Sequence, residues 1–360
     1  MGLEMVGSRL QVIMEKRKLK WWHWVFLLIL IAGTVIVARE NHHWGISGSE
    51  EYQRCEGGVF GTVYHITYRH PVDLHDSIRC VMQQVDETLS MFNPKSTLSA
   101  INQNLDADLS PMFVDVFQTA VSVNRETAGA FDITVAPLVN FWGFGFTAND
   151  TVETSDSLTT KASVDSIRQH IGMHLVSLQD NHIVKADTAV TLDCSAIAKG
   201  YGVDAVGRYL ESVGVHDYMV EIGGEVRLRG CNPKGEQWNI GINRPEADDS
   251  EIQEVLRISD ISMATSGNYR NFYRKGEKIY AHTIDPHTGY PVQHSLLSAT
   301  VLAEDCAVAD AYATSFMVLG LEGAKNVLSQ HPELRAYLIY AGAEGDFQVW
   351  NNIESLISKK

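Results

Sequence analysis

The chain has 360 residues, 45% hydrophobic and 20% charged, a balance that supports a buried core and excludes a disordered protein. Six of its 29 basic residues but only two of its 44 acidic ones precede residue 40, so residues 40–360 carry 23 against 42, a net −19. Such a surface repels nucleic-acid phosphates and excludes nucleic acid as a partner.

The chain opens on a basic segment, residues 1–20, with Arg9, Lys16, Arg17, Lys18 and Lys20. Residues 21–38, WWHWVFLLILIAGTVIVA, hold no Asp, Glu, Lys or Arg, and this length is about the minimum for a helix that crosses a bilayer core. The positive flank sets residues 1–20 in the cytoplasm and the remainder outside, and Trp21, Trp22 and Trp24 suit an interfacial belt. The sequence therefore predicts a single-pass signal anchor in the inner (cytoplasmic) membrane. The working domain is then extracytoplasmic, periplasmic in a cell with two membranes. A cleaved signal peptide is the competing reading, although VIVARE is a weak cleavage match. Residues 39–52 read as a juxtamembrane tether, and residues 53–360 as one α/β domain, α+β mixed, because strand and helix signals alternate without a fixed repeat.

Within that domain, GTVYHITYRH (61–70) alternates like an opening strand. Residues 76–92 repeat apolar positions at Ile78, Val81, Met82, Val85 and Leu89, and residues 111–129 have helical spacing that ends on Gly129 as a C′ residue. The polar segment 147–165 reads as a surface insertion. Strand signals return at 182–186 and 189–195, followed by a helix over 196–213 with Ser195 as its N-cap. YMVEIGGEVRLRG (218–230) reads as two strand pieces around a Gly-Gly bend, and residues 278–292 as a strand turning at Asp285-Pro286. The five cysteines, Cys55, Cys80, Cys194, Cys231 and Cys306, include no C-x-x-C pair, and their odd number leaves at least one thiol unpaired within the chain.

Four stretches carry chemistry. In AVADAYATSF (307–316), Asp310 and Thr314 stand four apart and so on one helix face, offering hard oxygen donors of the kind magnesium prefers. The plainer account is a Thr bonded back to a main-chain carbonyl and an Asp at a polar edge. In LDCSAIAKGYG (192–202), a helix start offers N–H groups and the positive end of the dipole to an anion. Lys199 opposes that dipole unless an anion accompanies it, and Gly200 and Gly202 permit close backbone approach. GAFD (129–132) places Asp132 among aromatics. HTIDPHTG (282–289) sets His282, a possible proton acceptor, beside the Asp285 turn. Neither a G-x-G-x-x-G, a P-loop nor a G-x-S-x-G elbow is present.

Together with Ile222-Gly223-Gly224, these motifs in this order resemble the ApbE family of FAD:protein FMN transferases, from about Phe60 to Gly320. The resemblance implies a magnesium-dependent enzyme that splits FAD at its pyrophosphate, passes FMN to a Ser or Thr hydroxyl of an acceptor redox protein and releases AMP. It further implies Mg²⁺ held by Asp310, Thr314 and the carbonyl of Ala196. By the same matching, FAD meets Phe60, Phe92, Ala130, Phe131, Asp132, Asp193, Lys199 and Ile284, while His282 and Asp285 stand near the reacting phosphate. Family members often carry Met where Phe60 stands and Tyr where Phe92 stands, and many are lipoproteins, for which the 21–38 helix would substitute. Two alternatives share these residues: a hydrolase that makes FMN and AMP with water as nucleophile, and a non-catalytic tethered flavin binder.

Overall fold

Alternation of buried and half-buried residues along short β-branched stretches, seen in Tyr218–Ile222, builds the centre of the fold. The computed structural model describes residues 52–145, 157–245, 251–268, 272–275, 278–344 and 346–357. The basic segment, the 21–38 span and all of the tether but Tyr52 lie outside these. Among the described residues no helix is long and apolar enough to cross a membrane.

Glu51–Lys360 form one unit. Its described strands are β1 (Tyr52–Val59), β2 (Thr62–Arg69), β3 (Val176–Gln179), β4 (His182–Lys185), β5 (Tyr218–Ile222), β6 (Glu225–Arg229), β7 (Trp238–Asn243), β8 (Ile252–Ile258), β9 (Ile261–Gly267), β10 (Phe272–Lys275), β11 (Lys278–Ala281), β12 (Leu296–Ala303), β13 (Arg335–Ala341) and β14 (Phe347–Asn351). The helices are α1 (His75–Leu89), α2 (Thr97–Asn102), α3 (Pro111–Glu126), α4 (Ala136–Phe141), α5 (Ser157–Arg168), α6 (Ser195–Ser212) and α7 (Cys306–Gln330).

Eight strands pair in the order β1-β2-β5-β6-β9-β12-β13-β14. Every neighbour is antiparallel, which puts the protein in the α+β part of the expected mixed class. Period-two alternation gives this sheet two apolar faces. Ala299, Val301, Ala336 and Leu338 face a helical layer with Phe113, Ile197 and Phe316, whereas Leu302, Tyr337 and Ile339 pack against Trp238, Ile240 and Leu256 of the β7–β8 hairpin.

Helix α6 lies against α7, and small residues at the crossing make this possible. A Cβ on Gly200 would stand 2.5 Å from the Cys306 carbonyl oxygen, and one on Gly202 2.6 Å from the Phe60 ring. The close approach anticipated for these glycines is therefore to protein. Helix α7 breaks at Gly320 (φ 70°), where His294 Nε2 donates to the Met317 carbonyl at 2.9 Å.

Several local expectations need correction. Tyr52 belongs to β1, which precedes the strand predicted at 61–70. Residues 189–194 form no strand: the Asn102 side chain pairs with both the N–H and the C=O of Leu192 (2.7 and 2.8 Å) and stands in for a neighbouring strand. Part of the supposed insertion is helix α5. At the end of α3, Ala128 (φ 52°) is the left-handed C′ residue and Gly129 follows it, with Gly129 N–H bonded to the Asn124 carbonyl at 2.7 Å, a Schellman closure one residue earlier than predicted. All five cysteines are free.

Candidate active site

Helices α6 and α7, the β5–β6 turn, β7, β9 and the loops 130–133 and 282–286 enclose a cavity of about 510 Å³, within the usual range for ligand sites. Ala130, Phe131, Asp132, Asp193, Ala196, Lys199, His282, Ile284, Asp310 and Thr314 all line it. The sequence-predicted residues thus come together from four separate parts of the chain. Three do not line it. Phe60 sits in the β1–β2 turn at φ 50°, its ring against Gly202. Phe92 is 70% exposed on the loop after α1. Asp285 accepts the His287 N–H at 2.9 Å and closes the 285–290 turn through main-chain bonds with Gly289 and Tyr290. The Asp285 side chain belongs to the turn that holds His282 and Ile284.

That turn is tied down from outside. Trp142 Nε1 donates to the Gly289 carbonyl at 2.8 Å, His287 Nε2 donates to the Ala128 carbonyl at 2.8 Å, and Ile284 is buried with Leu138, Trp142 and Val164. The opposite wall is fixed through Asp193, whose N–H donates to the Ile133 carbonyl at 2.7 Å and whose Oδ1 accepts the Ser195 N–H at 2.8 Å. Ser195 is therefore the first helical residue. Cys194 holds the cap position and its own side chain makes no cap hydrogen bond, and Ser195 and Ala196 line the cavity. Burial raises the pKa of both Asp132 and Asp193, against the hydrogen bonds each accepts.

Charge concentrates at one pole. Asp310 is 3% exposed, and its Oδ2 accepts the Gly200 N–H at 3.1 Å. By helix register that N–H is also the partner of the Ala196 carbonyl, so the two expected metal ligands converge on one amide. Thr314 Oγ1 lies 3.1 Å from Ser266 Oγ on β9. Burial drives the Asp310 pKa up, with Lys199 and the Gly200 N–H opposing the shift.

Lys199 does find an anion, but it is the protein's own. Its ammonium is paired with Glu225 Oε1 at the start of β6. Burial disfavours its charge, yet Asp310 and Glu225 together outweigh this and raise its pKa. Glu225 is 2% exposed, its other oxygen, Oε2, is buried without a hydrogen-bond partner, and burial pushes its carboxyl up to about 7.

Sequence reasoning missed Glu225, Ser266 and Thr265. The first follows directly on the Gly-Gly motif, which was the available signal. Two buried carboxylates against one ammonium leave a formal excess of negative charge, and the hydroxyl, carboxylate and carbonyl oxygens beside them are a hard donor set. The pole therefore fits a magnesium ion. Among the described residues no group of three His, Cys, Asp or Glu side chains could hold a metal, so such an ion would depend on Thr314 and the main chain as well as Asp310.

A fold with this site defines a class. Residues 60–338 match the model of the ApbE family, and the chain belongs to that family. It is 37% identical over 305 residues to the FAD:protein FMN transferase of Vibrio cholerae, covering 82% of this chain and 88% of that protein. It is 34% identical over 326 residues to the protein of the same name from Haemophilus influenzae, covering 86% and 92%. Its structure is similar to the flavin transferase ApbE from Vibrio cholerae (TM-score 0.75, 34% identity, 84% of this chain and 97% of that one). It is also similar to the apo flavinyl transferase ApbE of Pseudomonas stutzeri (TM-score 0.76, 28% identity, 86% and 98%).

Proposed function

We propose that this chain is an FAD:protein FMN transferase that moves FMN from FAD to a Ser or Thr hydroxyl of an acceptor protein. One P–O bond of the pyrophosphate breaks, AMP leaves with the bridging oxygen, and a phosphoester forms to the hydroxyl oxygen. The observation that carries this reading is the convergence of the α6 start, Lys199, Asp310 and Thr314 in one cavity with loop 130–133 and His282. A nucleotide with a charged middle and flat ends needs such a site.

Asp310, Thr314 and the Ala196 carbonyl would hold Mg²⁺, which supplies charge neutralisation for the phosphates. Lys199 and the α6 N-terminus bind the same anion. Ala130–Asp132 and Ile284 line the wall next to it and orient the nucleotide, and His282 takes the proton of the incoming hydroxyl. The acceptor is an extracytoplasmic redox protein in this reading, with the 21–38 span as membrane anchor; its support is the apolar run and its basic flank.

The test combines the full chain, FAD, Mg²⁺ and a candidate acceptor, with intact-mass detection of an FMN-sized addition. The expected result is addition that is lost with EDTA and with Asp310→Asn. AMP release without any acceptor labelling identifies a hydrolase, and FAD retention without turnover identifies a binder; either result overturns the proposal.

A further inference from the structure

The Gly-Gly turn delivers a side chain that the proposed reaction has not used. Gly223 (φ 63°) and Gly224 (φ 103°) form a two-residue hairpin turn that only glycine enters without strain, and Glu221 Oε1 accepts the Gly224 N–H at 2.7 Å. Strand β6 leaves this turn with Val226 and Leu228 on the β7–β8 face, so Glu225 and Arg227 point at helix α6. There they make two charge pairs of opposite polarity, Glu225 with Lys199 and Arg227 with Asp204.

The two pairs differ in completeness. Asp204 receives Arg227 Nη1 at 2.7 Å and the N–H groups of Cys306 and Ala307, each at 2.9 Å, while Arg227 also reaches Tyr218 (3.1 Å) and Asp305 (2.9 Å). Every group there is engaged, and the pair lies away from the cavity. The Glu225–Lys199 pair is on the cavity wall, one of its carboxylate oxygens has no partner, and the Lys199 side chain keeps 33% of its exposure. A buried acceptor left unpaired is destabilising. The saturated pair fastens β6 to the two helices. The incomplete pair holds a cation facing a space for an anion.

We propose that Glu225 is a positioning residue that competes with the pyrophosphate of the bound nucleotide for Lys199. It holds the ammonium charged and aimed when the cavity is empty, and weakens its grip on phosphate so that product can leave. This deepens the proposed function, resting on it only in taking the ligand of Lys199 to be a nucleotide diphosphate.

The experiment uses the full chain in detergent, with ADP in EDTA as the anionic probe in calorimetry, and with amine-reactive labelling of Lys199 read by peptide mass spectrometry. Glu225→Gln keeps the side-chain shape and removes the competing charge. The expected result is ADP affinity about tenfold tighter, the equivalent of one charge-assisted hydrogen bond, and Lys199 labelling several-fold faster. With FAD and acceptor, KM for FAD falls together with kcat, a split that a merely structural loss does not produce. The ADP effect vanishes in a Lys199→Gln background, and Glu225→Asp, which restores the charge, returns labelling toward the wild-type rate. Unchanged or weaker ADP binding in Glu225→Gln, unchanged labelling, or an ADP effect that persists without Lys199 overturns the inference. Wild-type protein that fails to bind ADP overturns the nucleotide reading itself, and the labelling comparison still decides whether Glu225 controls Lys199.

Discussion

Asp204→Ala tests how the two site helices are joined. Asp204 is fully buried on α6 and accepts both N–H groups that open α7, so it is the cap of the helix that carries Asp310 and Thr314. Truncation strands those two donors and removes the nearer carboxylate from Arg227, which is 14% exposed. Loss of a helix cap costs about 1 kcal/mol. Breaking a buried ion pair from one side costs about 3–5 kcal/mol. The two are not additive, and Asp305 remains 2.9 Å from the guanidinium, so the expected loss is about 3–4 kcal/mol. Asp204→Asn keeps one accepting oxygen and should lose about half as much. Urea denaturation of the full chain, followed by tryptophan fluorescence, measures both. Transferase activity should drop in folded Asp204→Ala protein, because the start of α7 sets the position of Asp310. A loss below about 1 kcal/mol for the alanine variant would refute the capping argument.

Three further outcomes follow from named contacts. Glu225 is raised from 4.5 to about 7, so folding favours its protonated form. This contribution is fully present below about pH 4.5 and is lost as pH rises through about 7. The metal-free chain should lose stability across that window, and Glu225→Gln should flatten the profile in denaturation experiments run in EDTA. Ala128→Gly should raise stability by about 1 kcal/mol, read as a higher melting temperature, since Ala128 holds a left-handed C′ conformation that glycine adopts freely. Gly200→Ala should destabilise by about 1–3 kcal/mol and impair turnover, because its Cβ meets the main chain of Cys306 and Ala307 at 2.5–2.9 Å, atoms that cannot rotate away.

The linear sequence was sufficient for whatever depends on neighbours along the chain. The spacing of Ile78, Met82, Val85 and Leu89 made α1 legible, the Gly-Gly pair located the β5–β6 turn, and the i, i+4 relation put Asp310 and Thr314 on one face before any coordinates. The ordered motifs named the residues that line the cavity, with Phe60, Phe92 and Asp285 outside it. Boundaries slipped where a distant group substituted for a local one. Asn102 took the place of a strand beside Leu192, and Asp193 bonded the Ser195 amide, which left Ser195 inside the helix and not at its cap.

The partner of Lys199 depended on tertiary structure alone. Position 225 is 26 residues from Lys199, and its side chain reaches the ammonium only because a glycine turn fixes the register of β6 against α6. Whether a lysine meets a ligand or a protein carboxylate depends on what the folded chain brings within a few ångströms of it. Charge interactions act through space, whereas the helical and strand periodicities legible in a sequence act along the chain.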